Sequence, residues 1–135
     1  MFNLEIVVLS NRWADLQINT DDQSTMFYFE KVPNDALSDI LLSAIRALGN
    51  GIDSTIIFYN GSQKEIMNIK SIDKESCNIA FEKCSLILTK RLYAKAVIRM
   101  FDKYVYAYSQ EDYESEWGGF PSQELGQLRG AYHAI

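Results

Sequence analysis

The segment Pro33-Asn34-Asp35-Ala36-Leu37-Ser38-Asp39-Ile40-Leu41-Leu42-Ser43-Ala44-Ile45-Arg46-Ala47-Leu48-Gly49-Asn50-Gly51 decides the fold. Ala36, Leu37, Ile40, Leu41, Ala44, Ile45 and Leu48 recur at three-four spacing, which places them on one face of an amphipathic helix. Asn34 is suited to cap it, Asp35 and Asp39 suit the positive end of its dipole, and Gly49-Asn50-Gly51 stops it. On either side the apolar period changes to two. A helix inserted between two alternating stretches predicts an α+β chain rather than a bundle or a sandwich.

N-terminal to the helix, three strands are expected. Phe2, Leu4, Ile6 and Val8 form one apolar face, Ala14, Leu16 and Ile18 another, and residues 25 to 32 are rich in β-favouring aromatics. The linking turns are too short for a crossover, so the three form an antiparallel meander. C-terminal to the helix, residues 54 to 59 run into Asn60-Gly61, a strong hairpin signal. Residues 64 to 72 and 77 to 88 supply two more strands. The apolar phase slips between Ile79/Phe81 and Leu86/Leu88, which requires a bulge near Lys83 to Ser85 or an early end to the strand.

Thr89 then caps a helix whose apolar stripe is Leu92, Ala96, Val97, Met100, Phe101, Tyr104, Val105 and Tyr108. Arg91, Lys95, Arg99 and Lys103 step along another face. A last short helix starts at Pro121 and buries Leu125, Leu128 and Tyr132. The expected order is βββ-α-βββ-α-α: an antiparallel sheet of about six strands in two meanders, with helices packed on it, in a single α+β domain spanning residues 1 to 135.

Composition narrows the function classes. The chain of 135 residues is 47% apolar and carries 13 bases against 18 acids, a net charge of −5. Such a balance disfavours nucleic acid and anionic membranes as partners, because both repel it at long range. No stretch reaches the roughly 20 apolar residues of a membrane span, and the apolar run near the start is too short for an export signal. The expectation is a cytoplasmic protein in which Cys77 and Cys84 stay reduced. No metal, cofactor or nucleotide motif occurs. His133, the one histidine, is expected to be solvent-exposed and ill placed as a general base. Ser and Cys nucleophiles would have no other histidine to activate them. The sequence therefore reads as a non-enzyme with no cofactor.

Charge is unevenly distributed. Residues 64 to 103 hold nine bases and five acids, and residues 104 to 135 one base and five acids. The basic positions of the long helix read as a solvated face, since a nucleic-acid track would want interleaved exposed aromatics. Residues 104 to 117, Tyr-Val-Tyr-Ala-Tyr-Ser-Gln-Glu-Asp-Tyr-Glu-Ser-Glu-Trp, are unusual: four carboxylates within six residues are interleaved with large rings. Like charges so close repel one another unless a cationic partner offsets them. Two readings stand together. Ser109 and Asp112 fit a capping box, with the acids on a first helical turn. Alternatively, Glu111, Asp112, Glu114 and Glu116 supply charge to an interface anchored by Tyr113 and Trp117.

In its general plan the chain resembles the small bacterial immunity proteins of contact-dependent inhibition and other polymorphic toxin systems. The resemblance lies in the compact acidic α+β plan, the Ala36 to Leu48 helix ending in Gly-Asn-Gly, and the tail from Trp117 to Arg129. It implies a protein that binds a cognate toxin domain, as monomer or homodimer, and covers its active site or substrate surface. A basic nuclease is the toxin class best matched by an acidic-aromatic patch. Two other classes compete: a small enzyme or ligand-binding protein with a carboxylate-lined pocket, and a homodimeric adaptor using Met26 and Tyr28 as a self-complementary surface.

Overall fold

The structure is a computed structural model that describes residues 1–134. It is an α+β fold with two antiparallel sheets and four helices. The first sheet is the meander β1 (Phe2–Ser10), β2 (Trp13–Thr20) and β3 (Ser24–Glu30), in that order. Helix α1 (Ala36–Leu48) separates it from the second meander: β4 (Ser54–Asn60), β5 (Gln63–Ser71), β6 (Ser76–Phe81) and β7 (Cys84–Thr89). Helices α2 (Lys90–Ala107), α3 (Gln110–Glu116) and α4 (Ser122–His133) follow.

Three expectations about the strands are corrected. Seven strands form, not six, because the segment 77 to 88 is a hairpin. Phe81 pairs with Cys84 across a two-residue turn in which Glu82 adopts φ +49°. The phase slip seen in the sequence is this reversal. At the β4–β5 hairpin the ladder closes at Asn60 and Gln63, so Gly61-Ser62 form the turn, with Gly61 at φ +63°. In β1 the register shifts between Ile6 and Val8. That bulge turns Val8 outward and Leu9 inward, replacing the predicted Phe2-Leu4-Ile6-Val8 face by Phe2-Leu4-Ile6-Leu9.

The two sheets meet without a ladder between β3 and β4. Aromatic packing replaces hydrogen bonds at this seam. Phe27 and Phe29 of β3 each place their ring 4.8 Å from that of Phe58 of β4. The strand succession curves from β1 to β7 around α2, which packs on both β1 and β7. That enclosure explains why α2 buries more than one stripe. Tyr93, Ala94 and Ile98 are buried with Ala96, Val97, Met100, Phe101 and Tyr104, whereas Leu92 and Tyr108 of the predicted stripe are exposed. Arg91, Arg99 and Lys103 lie at the surface and Lys95 is half-buried. Lys103 pairs with Glu5 at 2.8 Å.

Local chemistry fixes where the helices begin. The cap of α1 is Asp35 rather than Asn34: its Oδ1 accepts the Ser38 N–H at 3.1 Å. Asn34 instead donates to Asp39 and to the Ile57 carbonyl, tying the start of α1 to β4. Thr89 caps α2 by accepting the Leu92 N–H at 3.0 Å. Pro121 precedes the first residue of α4, whose buried residues are Leu125 and Leu128. Buried side chains from both sheets and all four helices form one contiguous core. No helix among the described residues is long and apolar enough to cross a membrane. Cys77 and Cys84 are free thiols; Cys77 is fully buried and burial pushes its pKa up.

Candidate functional site

The acidic segment folds as α3, a two-turn helix set against the ends of α2, β1 and α1. Ser109 caps it, its Oγ accepting the Asp112 N–H at 2.9 Å. This is half of the capping-box expectation, and it places Glu111 and Asp112 in the first turn, where the helix dipole favours them. Glu111, Asp112 and Glu114 point to solvent and Glu116 is half-buried. Three ion pairs are found among the described residues, and none of these four carboxylates takes part. Four negative charges therefore share one short helix with no intramolecular ion pair to offset them. Their one direct side-chain contact is the long 3.4 Å hydrogen bond from Gln110 to Glu114.

Tyr113 and Trp117, expected as exposed anchors, are both fully buried, and that expectation is corrected. They sit four residues apart, on the single face that α3 turns inward. The Tyr113 ring packs edge-on against Phe120 at 5.1 Å and Tyr104 at 5.9 Å. Trp117 meets Phe29 edge-on at 5.9 Å and donates its indole N–H to Asp35 Oδ1 at 3.0 Å. One carboxylate oxygen thus caps α1 and holds the last residue of the acidic segment. These two side chains fix α3 to the core and leave no ring surface of their own exposed.

The aromatics that do face solvent immediately precede α3. Tyr106 is 94% exposed and Tyr108 is 59% exposed. Tyr108 lies against Tyr104 with ring centroids 4.9 Å apart. The Tyr104 hydroxyl is raised in pKa by burial first, then by the negative charge of Asp112, by Tyr108 and by Glu116. The field of the cluster thus reaches back onto the end of α2. The signal for this arrangement lay in the spacing. Tyr113 and Trp117 share a helical face that Glu111, Asp112 and Glu114 avoid, which marks the rings as core and these three acids as surface, with the half-buried Glu116 at the boundary.

The turn Asn11-Arg12 closes the site from the sheet side. Both residues have positive φ, +54° and +68°. Arg12 donates its N–H to the Glu116 carbonyl at 2.6 Å and accepts from the Lys31 N–H at 3.0 Å. The Lys31 ammonium lies over Gly118, where a Cβ would stand only 1.8 Å from Nζ. The Lys31 ammonium accordingly stands next to the Gly118 backbone, just past the Glu116 end of the cluster.

The competing sites have different characters. A cleft of about 640 Å³ lies between the end of α1 and the start of α2. It is lined by Asp73 and Glu75 but equally by Lys74, Lys90 and Arg91. Asp73 is held below the ordinary carboxylate range by the backbone N–H groups of Glu75 and Ser76, opposite to what a general acid needs. Of the adaptor surface, Tyr28 is exposed and Met26 half-buried. His133 is exposed on the last turn of α4. No group of three or more His, Cys, Asp or Glu side chains among the described residues could hold a metal ion. The chain was compared with family models, curated proteins and solved structures, and it matches none of them.

Proposed function

We propose that the chain is an immunity-type binding protein that covers a cationic surface of a cognate toxin domain and so neutralises it. The observation supporting this reading is the unpaired carboxylate set Glu111, Asp112, Glu114 and Glu116 on a helix that Tyr113 and Trp117 fix to the core. A rigid display of charge loses little entropy on docking, and complementary fields speed encounter. The partner contact combines these acids with Tyr106 and Tyr108, whose rings are available to it. A basic nuclease cleft suits such a surface, since carboxylates and rings together imitate phosphates and bases. Binding by occlusion requires neither a cofactor nor catalysis by this chain.

The test replaces all four acids by their amides: Glu111→Gln, Asp112→Asn, Glu114→Gln and Glu116→Gln. Circular dichroism and thermal melting should show the fold retained, because none of the four makes an ion pair. Affinity for the toxin domain encoded beside this chain should fall at least about tenfold at low salt, the lower end of what steering charges contribute. Unchanged affinity at low salt would remove α3 as the contact surface.

A further inference from the structure

At the far end of α1 and α2 from the acidic cluster, a cleft of about 640 Å³ opens between the C-terminus of one helix and the N-terminus of the other. Ala47 and Leu48 give it an apolar wall, and the turn Gly49-Asn50-Gly51 borders it. Lys90, the first residue of the 18-residue helix α2, is only 6% exposed and lines the same space. Its ammonium makes no ion pair and no hydrogen bond with the described residues. A Cβ on Gly51 would stand 3.4 Å from Lys90 Nζ and 3.1 Å from Ser71 Oγ, so the ammonium lies beside bare backbone at the cleft wall.

The Lys90 stem is buried while its ammonium still reaches the cleft, so an anion entering the cleft would meet a positive charge held in place by its own buried stem. The carboxylate best placed nearby is committed elsewhere. Asp73 Oδ1 accepts the N–H groups of Glu75 at 2.9 Å and Ser76 at 2.7 Å, and it forms no ion pair with Lys90, whose charge is the least of the influences that lower its pKa. The Lys90 N–H donates to the Glu75 carbonyl at 2.8 Å, which fixes the start of α2 and with it the lysine stem. Arg91 is turned aside, its guanidinium 4.2 Å above the Tyr132 ring. One unpaired ammonium on a buried stem at a helix N-terminus, next to an apolar wall, therefore offers a place for an anion with a hydrocarbon body.

We infer that this cleft binds a small organic carboxylate, its carboxylate group on Lys90 Nζ and its hydrocarbon body against Ala47 and Leu48. Asp73 and Glu75 face Lys74, Lys90 and Arg91 in the same lining, so the choice falls to the apolar wall: Ala47 and Leu48 offer a hydrocarbon body a contact that inorganic phosphate cannot use, which selects an organic carboxylate over phosphate. The site is independent of the α3 surface, and neither stands or falls with the other.

The test is an amide-detected NMR titration of the full chain at constant ionic strength. Its probes are hexanoate, the uncharged hexanamide and inorganic phosphate. Hexanoate should produce saturable shifts at Gly51, Ser71 and Lys90, hexanamide should produce none, and phosphate should bind more weakly. Lys90→Met keeps the stem and removes the charge, and should weaken hexanoate binding by roughly tenfold to a hundredfold, as for a lost hydrogen bond to a charged group. Should that variant fail to fold, the wild-type panel decides alone. Absent saturation with hexanoate, equal shifts from hexanamide, or tighter binding of phosphate would each overturn the assignment.

Discussion

Asp35 joins two helices through one oxygen, and its removal should be felt at both. In Asp35→Ala the Ser38 N–H loses its cap acceptor at 3.1 Å and the Trp117 indole N–H loses its partner at 3.0 Å. Loss of a cap costs about 1 kcal/mol. An indole N–H left unsatisfied on a fully buried tryptophan costs about 1–3 kcal/mol more. Asp35 itself is half-buried, so water can reach part of the vacated space, and we take a total of about 2–3 kcal/mol. For a chain of this size that lowers the melting temperature by about 10 °C. Asp35→Asn keeps an acceptor oxygen in the same place and should cost under about 1 kcal/mol. Urea unfolding followed by circular dichroism gives both values. A double-mutant cycle with Trp117→Phe isolates the shared bond, with an expected coupling of about 1–2 kcal/mol. Equal losses for Asp35→Ala and Asp35→Asn, or zero coupling, would refute the claim that this oxygen ties α1 to the end of α3.

Three further outcomes follow from particular contacts. Arg12 holds φ +68° in a tight hairpin, so Arg12→Gly creates the favoured Asn-Gly pair and should stabilise the fold by about 1 kcal/mol, read by thermal melting. The Tyr113 hydroxyl is buried without a hydrogen-bond partner among the described residues, so Tyr113→Phe should leave stability unchanged or raise it by up to about 1 kcal/mol in the same assay. Tyr93, Tyr104 and Tyr113 all have pKa values raised chiefly by burial from the ordinary value of 10.0. Their neutral forms therefore favour the folded state fully below about pH 10, and that stability is lost as pH rises from there through the raised folded values. Phenolate absorbance should accordingly show Tyr93 and Tyr113, both fully buried, ionising only with unfolding. Ionisation of these two near pH 10 with the fold intact would contradict the burial described.

Much of the architecture is legible in local pattern. Three-four spacing located α1 and two-residue alternation located both meanders, because a half-buried element must repeat with its own geometry. What escaped is set by turns and by enclosure. Asn11 and Arg12 carry no glycine to advertise the β1–β2 turn, and their positive φ is held by bonds to Glu116 and Lys31 that no local reading contains. The β1 bulge moved Val8 out and Leu9 in although both are equally apolar. In α2 the single-stripe expectation failed because α1 and α4 pack on it as well as β1 and β7, which is a tertiary fact.

The site was half legible for the same reason. The charge of Glu111, Asp112, Glu114 and Glu116 is a property of composition and survives folding as surface. The roles of Tyr113 and Trp117 depended on which face α3 turns inward, and the interface reading gave them the wrong side. Lys90 carried no sequence signal, since its burial depends on elements distant in the chain, the Gly51 turn among them.

The central claim is that α3 is the surface with which this chain covers a basic partner. The most direct measurement is the structure of its complex with the basic toxin domain proposed as its partner. The account predicts Glu111, Asp112 and Glu114 seated against that domain's lysines and arginines, with Tyr106 or Tyr108 buried beside them. A stable complex in which α3 remains bathed in solvent would contradict it.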